Sequence, residues 1–296
     1  MTEKLLAILL VVSGIRTVVC QEESLNDYEY EIGEYQYIVS FQKSGKHFCS
    51  GSIVTSTRIF TSCNCVAQWS NNLKRAVAIN TESINIIAGS KYLNPSGVKH
   101  QMRTVAQFQM HPQCSKLSES TWTSNLAFAI PSHPFGFNEY VSAVPIFSHE
   151  TKVLLTALSE LINVQGCITV GWSWAESNRT ELTLFQVNIM KYKDCINISC
   201  DKDAELCLPN GLEYVCGKEK NKSDEICTGD LGSPLICYGY LWGVEGYRPN
   251  CGSGRPSLYS VILANMGFFK SALNRAAVTY ICALAMMVNV CLLYLR

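Results

Sequence analysis

Charge is scarce in this chain: only 16% of its 296 residues are Asp, Glu, Lys or Arg, and the 24 basic and 24 acidic groups cancel. A zero net charge excludes the basic footprint that phosphate backbones select, so nucleic acid is not an expected partner. A hydrophobic share of 48% excludes a disordered chain, which needs low hydrophobicity and high charge. No short fixed repeat and no low-complexity stretch is present, which argues against an array of small stacked units. The histidines, His47, His100, His111, His133 and His149, stand singly, so no metal site is spelled out and no cofactor is expected.

Cysteine, by contrast, is abundant, with 15 in the chain. That number fits an oxidising compartment, and the first twenty residues read as a secretory signal. Lys4 opens a short polar start, Leu5–Val12 is apolar, and Val18 and Cys20 suit the small-residue positions before a cleavage. Setting aside Cys20, Cys282 and Cys291 in the hydrophobic end segments leaves twelve cysteines, an even number that suits a disulfide framework. Sequons at Asn178, Asn197 and Asn221 are candidate glycosylation sites on surface loops. Residues 21–34 form an acidic, tyrosine-rich lead, read as a solvated tail or as a binding arm with Tyr28 and Tyr30 open to sulfation. At the other end, residues 276–295 carry no charge and are long enough to span a hydrocarbon core, or to serve as the removed tail of a GPI-attachment signal. The spacing predicts membrane attachment through this tail in either case.

Between the ends the pattern is one of short apolar or alternating runs: Tyr37–Phe41, Ser52–Val54, Ile84–Ala88, Thr183–Ile189, Pro234–Ile236 and Leu241–Val244. Gly, Pro, Asn and Ser separate them, which predicts an all-β barrel or sandwich. Only the end, Ala264–Asn274, reads as helical.

Three separated blocks carry a family resemblance. His47-Phe48-Cys49-Ser50-Gly51-Ser52-Ile53 with Phe60-Thr61-Ser62-Cys63-Asn64-Cys65-Val66 resembles the HFCGGSL and LTAAHCV stretches of chymotrypsin-like (trypsin-family) serine proteases. Ser124-Asn125-Leu126-Ala127 resembles the DIAL block, and Cys227-Thr228-Gly229-Asp230-Leu231-Gly232-Ser233-Pro234-Leu235 resembles CxGDSGGPL. Gly171-Trp172 and Pro256-Ser257-Leu258-Tyr259 match two further blocks in the right order. The resemblance implies two six-stranded antiparallel β-barrels over residues 35–273, divided near Glu150 and Thr151, then a C-terminal helix and the hydrophobic tail.

At the catalytic positions the resemblance removes the chemistry it would otherwise imply. The general-base histidine is Asn64, whose amide does not take up a proton near neutrality. The orienting aspartate is Asn125, and the nucleophilic serine is Leu231, which has no lone pair to attack a carbonyl. Ser233 and Cys63 are the nearest substitute nucleophiles, but the resemblance puts no histidine beside either. Glu225 replaces the floor of the specificity pocket, and Gly246-Tyr247-Arg248 replaces Ser-Trp-Gly on its wall. Arg248 is expected to plug the pocket and pair with Glu225, or else to turn outward to solvent.

The activation sequence is also altered: Glu31-Ile32-Gly33-Glu34 stands for IVGG with no Arg or Lys just before it. Asp230 then needs a partner other than a new amino terminus, and His47 occupies the position that holds it in zymogens, so a zymogen-like His47–Asp230 pair is expected. The family's disulfides map to Cys49–Cys65, Cys167–Cys237, Cys195–Cys216 and Cys227–Cys251. Of the four cysteines left, Cys200–Cys207 and Cys63–Cys114 are the favoured pairs among several pairings. The family's calcium loop, near Asn80–Ser96, offers only Glu82 as a carboxylate, too few for a hard cation. Inactive homologues of this kind, abundant in arthropods, serve as extracellular cofactors, decoys or adhesion modules. The expectation is a non-catalytic binding module whose partner is an extracellular protein, with a structural or adhesive surface protein as the alternative and a hydrolase with a relocated nucleophile as a minor one.

Overall fold

Alternation of apolar and polar side chains becomes strand wherever one face meets a core. Along Thr183–Ile189 the buried residues are Phe185, Val187 and Ile189, two apart, as a half-covered strand requires. The computed structural model describes residues 35–95, 99–117, 121–161, 166–172, 181–191, 194–195, 213–219, 231–247 and 256–274. Its first strands in chain order are β1 (Ile38–Lys43), β2 (Lys46–Thr55), β3 (Arg58–Thr61), β4 (Ala67–Ser70), β5 (Arg75–Ala78), β6 (Ile84–Ala88), β7 (Gln101–Met110), β8 (Ser115–Lys116), β9 (Trp122–Thr123) and β10 (Ala127–Pro131). There follow β11 (Cys167–Gly171), β12 (Thr183–Ile189), β13 (Tyr214–Glu219), β14 (Pro234–Cys237), β15 (Tyr240–Tyr247) and β16 (Ser257–Val261).

The strands close into two six-stranded barrels, β1-β2-β3-β10-β7-β6 and β11-β12-β13-β16-β15-β14, with every neighbouring pair antiparallel. Closure leaves no open edge to template aggregation. Two small hairpins, β4-β5 and β8-β9, stand outside the barrels. Phe41, Phe60 and Phe128 are fully buried in the first barrel, and Leu235, Val244 and Tyr259 in the second.

Three helical turns matter to the site. The first, α1 (Cys63–Val66), buries Cys63, Cys65 and Val66. The second, α2 (Thr151–Leu161), lies between the barrels in sequence and corrects the expectation that only the chain's end is helical. Its Leu154 and Leu161 are buried seven residues apart, two turns of one helical face, and the second barrel accordingly begins at Cys167 rather than at Thr151. A 3-10 turn, Leu263–Asn265, leads into α3 at residues 266–274. Phe269 of α3 packs its ring 5.1 Å from Phe60, and Arg58 donates from Nε to the Ala272 carbonyl at 3.1 Å. That bond ties β3 to α3 through a buried guanidinium.

Between the barrels the chain passes through Gly232, whose φ of +84° is the left-handed region that glycine tolerates. A β-carbon there would collide with the Ser50 carbonyl and Thr61 Oγ1. The tight passage is used: Ser50 N–H donates to the Leu231 carbonyl at 2.8 Å, and Gly232 N–H to the Glu245 carbonyl at 2.8 Å, so β2 and β15 hold one turn from both sides. Gly232→Ala is expected to lower stability by about 3 kcal/mol through strain and overpacking, read as a fall in denaturation midpoint with unchanged denaturant slope.

His111 stacks edge-on against Phe268 at 5.0 Å, and burial pushes its pKa below the ordinary 6.5, with the Glu213 carboxylate opposing part of the shift. A base held neutral by the fold contributes stability that is complete above the unfolded pKa and is lost as pH falls toward the folded one. His111→Gln should therefore flatten the loss of stability as pH falls below the ordinary histidine range near about 6.5, measured by denaturant titration on either side of it.

Candidate functional site: a cleft closed by two amides

The ordering of Asn64 begins in α1. The residues on either side of it are bridged, Cys65 to Cys49 in β2 and Cys63 to Cys114 in the loop after β7, across sequence separations of 16 and 51. In the chain-entropy account such loops are worth about 3 and 4 kcal/mol, enough to hold one turn against the barrel wall. Asn125 follows β9, where Ser124 takes a left-handed φ of 45° and donates its N–H to the Glu213 carboxylate at 3.3 Å. Leu231 sits at the Gly232 turn, half-buried and packed on the main core.

The first two of those segments converge on one carbonyl. Asn64 Nδ2 donates to the Gly246 carbonyl at 2.8 Å, and Asn125 Nδ2 donates to the same oxygen at 3.0 Å. Asn125 Oδ1 accepts the Asn64 backbone N–H at 2.8 Å, which closes a ring of three bonds among the two residues and β15. Gly246 lets this happen, because a β-carbon on it would stand 2.7 Å from Asn125 Nδ2 and 2.8 Å from Ser260 Oγ. A carbonyl oxygen has two lone pairs, and both are taken. Asn64 Oδ1 is buried with no hydrogen-bond partner among the described residues.

The two neighbouring candidate nucleophiles are buried or bridged. Ser233 is 1% exposed and its Oγ makes no hydrogen bond among the described residues, while Cys63 is consumed in its disulfide. His47 Nδ1 lies 2.8 Å from Ser40 Oγ, and its ring centroid is 5.5 Å from that of Trp172. Tyr247 closes β15 opposite Leu258. No group of three or more His, Cys, Asp or Glu residues suited to a metal occurs among the described residues. Glu225, Arg248 and Asp230 lie outside the described residues, as do Asn178, Asn197, Asn221, the tail 276–295 and the pairs Cys227–Cys251 and Cys200–Cys207. Cys167–Cys237, directly opposite in β11 and β14, and Cys195–Cys216 are bridged. Two residues that the sequence reading missed shape the cleft: Glu213, which pins Ser124, and Glu245, a fully buried carboxylate in β15. The second was visible as an acidic residue breaking the apolar run of that strand; nothing local marked the first.

A family model for trypsin matches residues 25–264. The chain belongs to the trypsin family. Trypsin epsilon of Drosophila erecta is 24% identical to it over 254 residues, 84% of this chain and 86% of the relative. Trypsin delta of the same species is 25% identical over 236 residues, 78% and 81% of the two chains. Trypsin alpha of Drosophila melanogaster is 23% identical over 248 residues, 82% and 84%. The trypsin-family match begins at residue 25, inside the acidic lead and six residues before Glu31. Among the described residues no helix is long and apolar enough to cross a membrane.

The asymmetry between the two asparagines is testable. Asn125 is 1% exposed, and Asn125→Ala strands the Asn64 N–H and opens a cavity, an expected cost of about 3 kcal/mol. Asn64→Ala loses one bond but also removes an acceptor that had no partner, so its cost should stay below about 1 kcal/mol. Equilibrium denaturation of the two variants side by side measures the difference.

Proposed function

We propose that this trypsin-family chain is a non-catalytic homologue that works outside the cell as a binding module, a cofactor or decoy in a proteolytic pathway. The observation that carries the reading is the pair of amides locked on the Gly246 carbonyl beside Leu231. Proton transfer needs a group that changes protonation during the reaction, and neither amide does. Acyl transfer needs a nucleophile, and a leucine side chain is none. Loss of such a set costs roughly a million-fold in rate.

The same bonds bear on how a partner docks. An extended peptide adding to β15 needs free main-chain acceptors along it, and the Gly246 carbonyl has none to give. A partner therefore meets the rim and outer surfaces rather than threading the cleft as a substrate strand. The disulfides fit an oxidising compartment, and the uncharged segment 276–295 fits attachment to the outer face of the plasma membrane, by a spanning helix or a lipid. The partner chemistry is that of an extracellular protein.

The chain, expressed through a secretory route and purified free of proteases, should neither turn over fluorogenic peptide substrates nor be labelled by a fluorophosphonate or an iodoacetamide probe. Turnover at more than a ten-thousandth of the rate of an active trypsin, abolished by Ser233→Ala, would falsify the reading.

A further inference from the structure

A cavity of about 490 Å³ lies away from the cleft, where the lead into β1 meets the segment before α2, the start of β11 and the β14–β15 turn. None of Asn64, Asn125, Leu231 or Gly246 lines it. Its size is within the usual range for small-molecule sites. The floor is aliphatic, with Ile168, Ile236 and Pro145, and the walls carry the rings of Tyr35, Tyr37 and Tyr238.

Two features make this more than a dent in the surface. The first is Tyr37, which is only 7% exposed. Its hydroxyl has no hydrogen-bond partner among the described residues, yet the side chain lines the cavity. The ring is buried while the hydroxyl opens into the cavity, where its O–H is available to a ligand acceptor as well as to water. The Tyr35 ring stands edge-on to it at 6.1 Å between centroids. The second is Tyr238, which adopts a left-handed φ of 52°, followed by Gly239 at 78°. The two-residue β14–β15 hairpin needs positive φ at both central positions, and it is met here by a tyrosine at a cost of about 1 kcal/mol, which fixes the ring at the cavity mouth. The turn holds the ring, 57% exposed, over the backbone of Gly166: a β-carbon on that residue would meet the ring at 3.3 Å.

The lining also states what does not fit. None of the eleven lining residues is charged, so an ion entering would be desolvated without a counter-charge. We propose that this cavity binds a small, neutral, ring-bearing molecule, stacked among Tyr35, Tyr37 and Tyr238 and oriented by a carbonyl or ether oxygen that accepts the Tyr37 O–H. The site is separate from the degenerate cleft and does not depend on the non-catalytic reading.

Prodan, a neutral naphthyl ketone whose emission moves to the blue on leaving water, is a direct probe. Titrated with the full chain, it should show a saturable blue shift with one site per molecule, and a sulfonated naphthalene of similar size should not compete. Tyr37→Phe keeps the ring and removes the donor, and should weaken binding about tenfold, the worth of one buried hydrogen bond. Tyr238→Ala, at an exposed position, should weaken it at least threefold; far-ultraviolet dichroism and a full count of disulfides confirm that both variants fold. The absence of a saturable shift overturns the proposal. So does a Tyr37→Phe affinity within threefold of the parent, or competition by the sulfonate equal to that of a neutral ketone.

Discussion

One carbonyl organises the centre of this molecule. The Gly246 oxygen on β15 of the second barrel accepts two side-chain amides that come from the first, one from α1 and one from the loop after β9. Imidazole and carboxylate at those places would form a polarised pair that moves protons. Two amides form a fixed, neutral lattice. These two bonds add cohesion between the barrels, since each spans the interface and neither loosens with pH. The Gly232 turn does the same a few residues away, taking one bond from β2 and one from β15.

This division of labour suits a chain poor in charge. Lys91–Glu181, at 2.8 Å, is an exposed ion pair, and pairs of that kind contribute little against solvent screening. Covalent bridges and buried main-chain contacts do the holding instead. Two of the four disulfides among the described residues flank Asn64, so the strongest local restraint falls on the α1 turn and not on the periphery. A cleft that must flex to receive and release substrate would gain nothing from such bracing, whereas a surface that must keep one shape gains affinity by losing less freedom on association.

Much of the fold was legible because its constraints are written in residue types that have few substitutes. Gly232 is required by a left-handed turn between two backbones, and the cysteines around Asn64 must reach defined partners, so blocks built on them survive in the sequence as recognisable spacing. The same blocks placed Asn64 and Asn125 in the sequence, and the structure brings their two amides onto one carbonyl. The helix α2 was not legible, although Leu154 and Leu161 keep helical period, because eleven residues with two threonines and a serine give a weak local signal that packing decides. Glu213 was illegible in principle: its role is to meet an N–H that lies 89 residues earlier in the chain, and only the closed barrel brings them together. The Tyr37 cavity belongs with it, since its walls come from four separated segments.

That last contrast bears on how such a chain is to be understood. Residues that define a family by motif are those the fold cannot place in any other way, as Gly232 and the bridged Cys49, Cys63 and Cys65 show here. Exposed apolar residues sit on turns and strand ends, where Tyr238 and Leu117 are each more than half exposed, and spacing rules say nothing about them. A trypsin-like frame with its centre locked therefore leaves the periphery free to vary without loss of the fold.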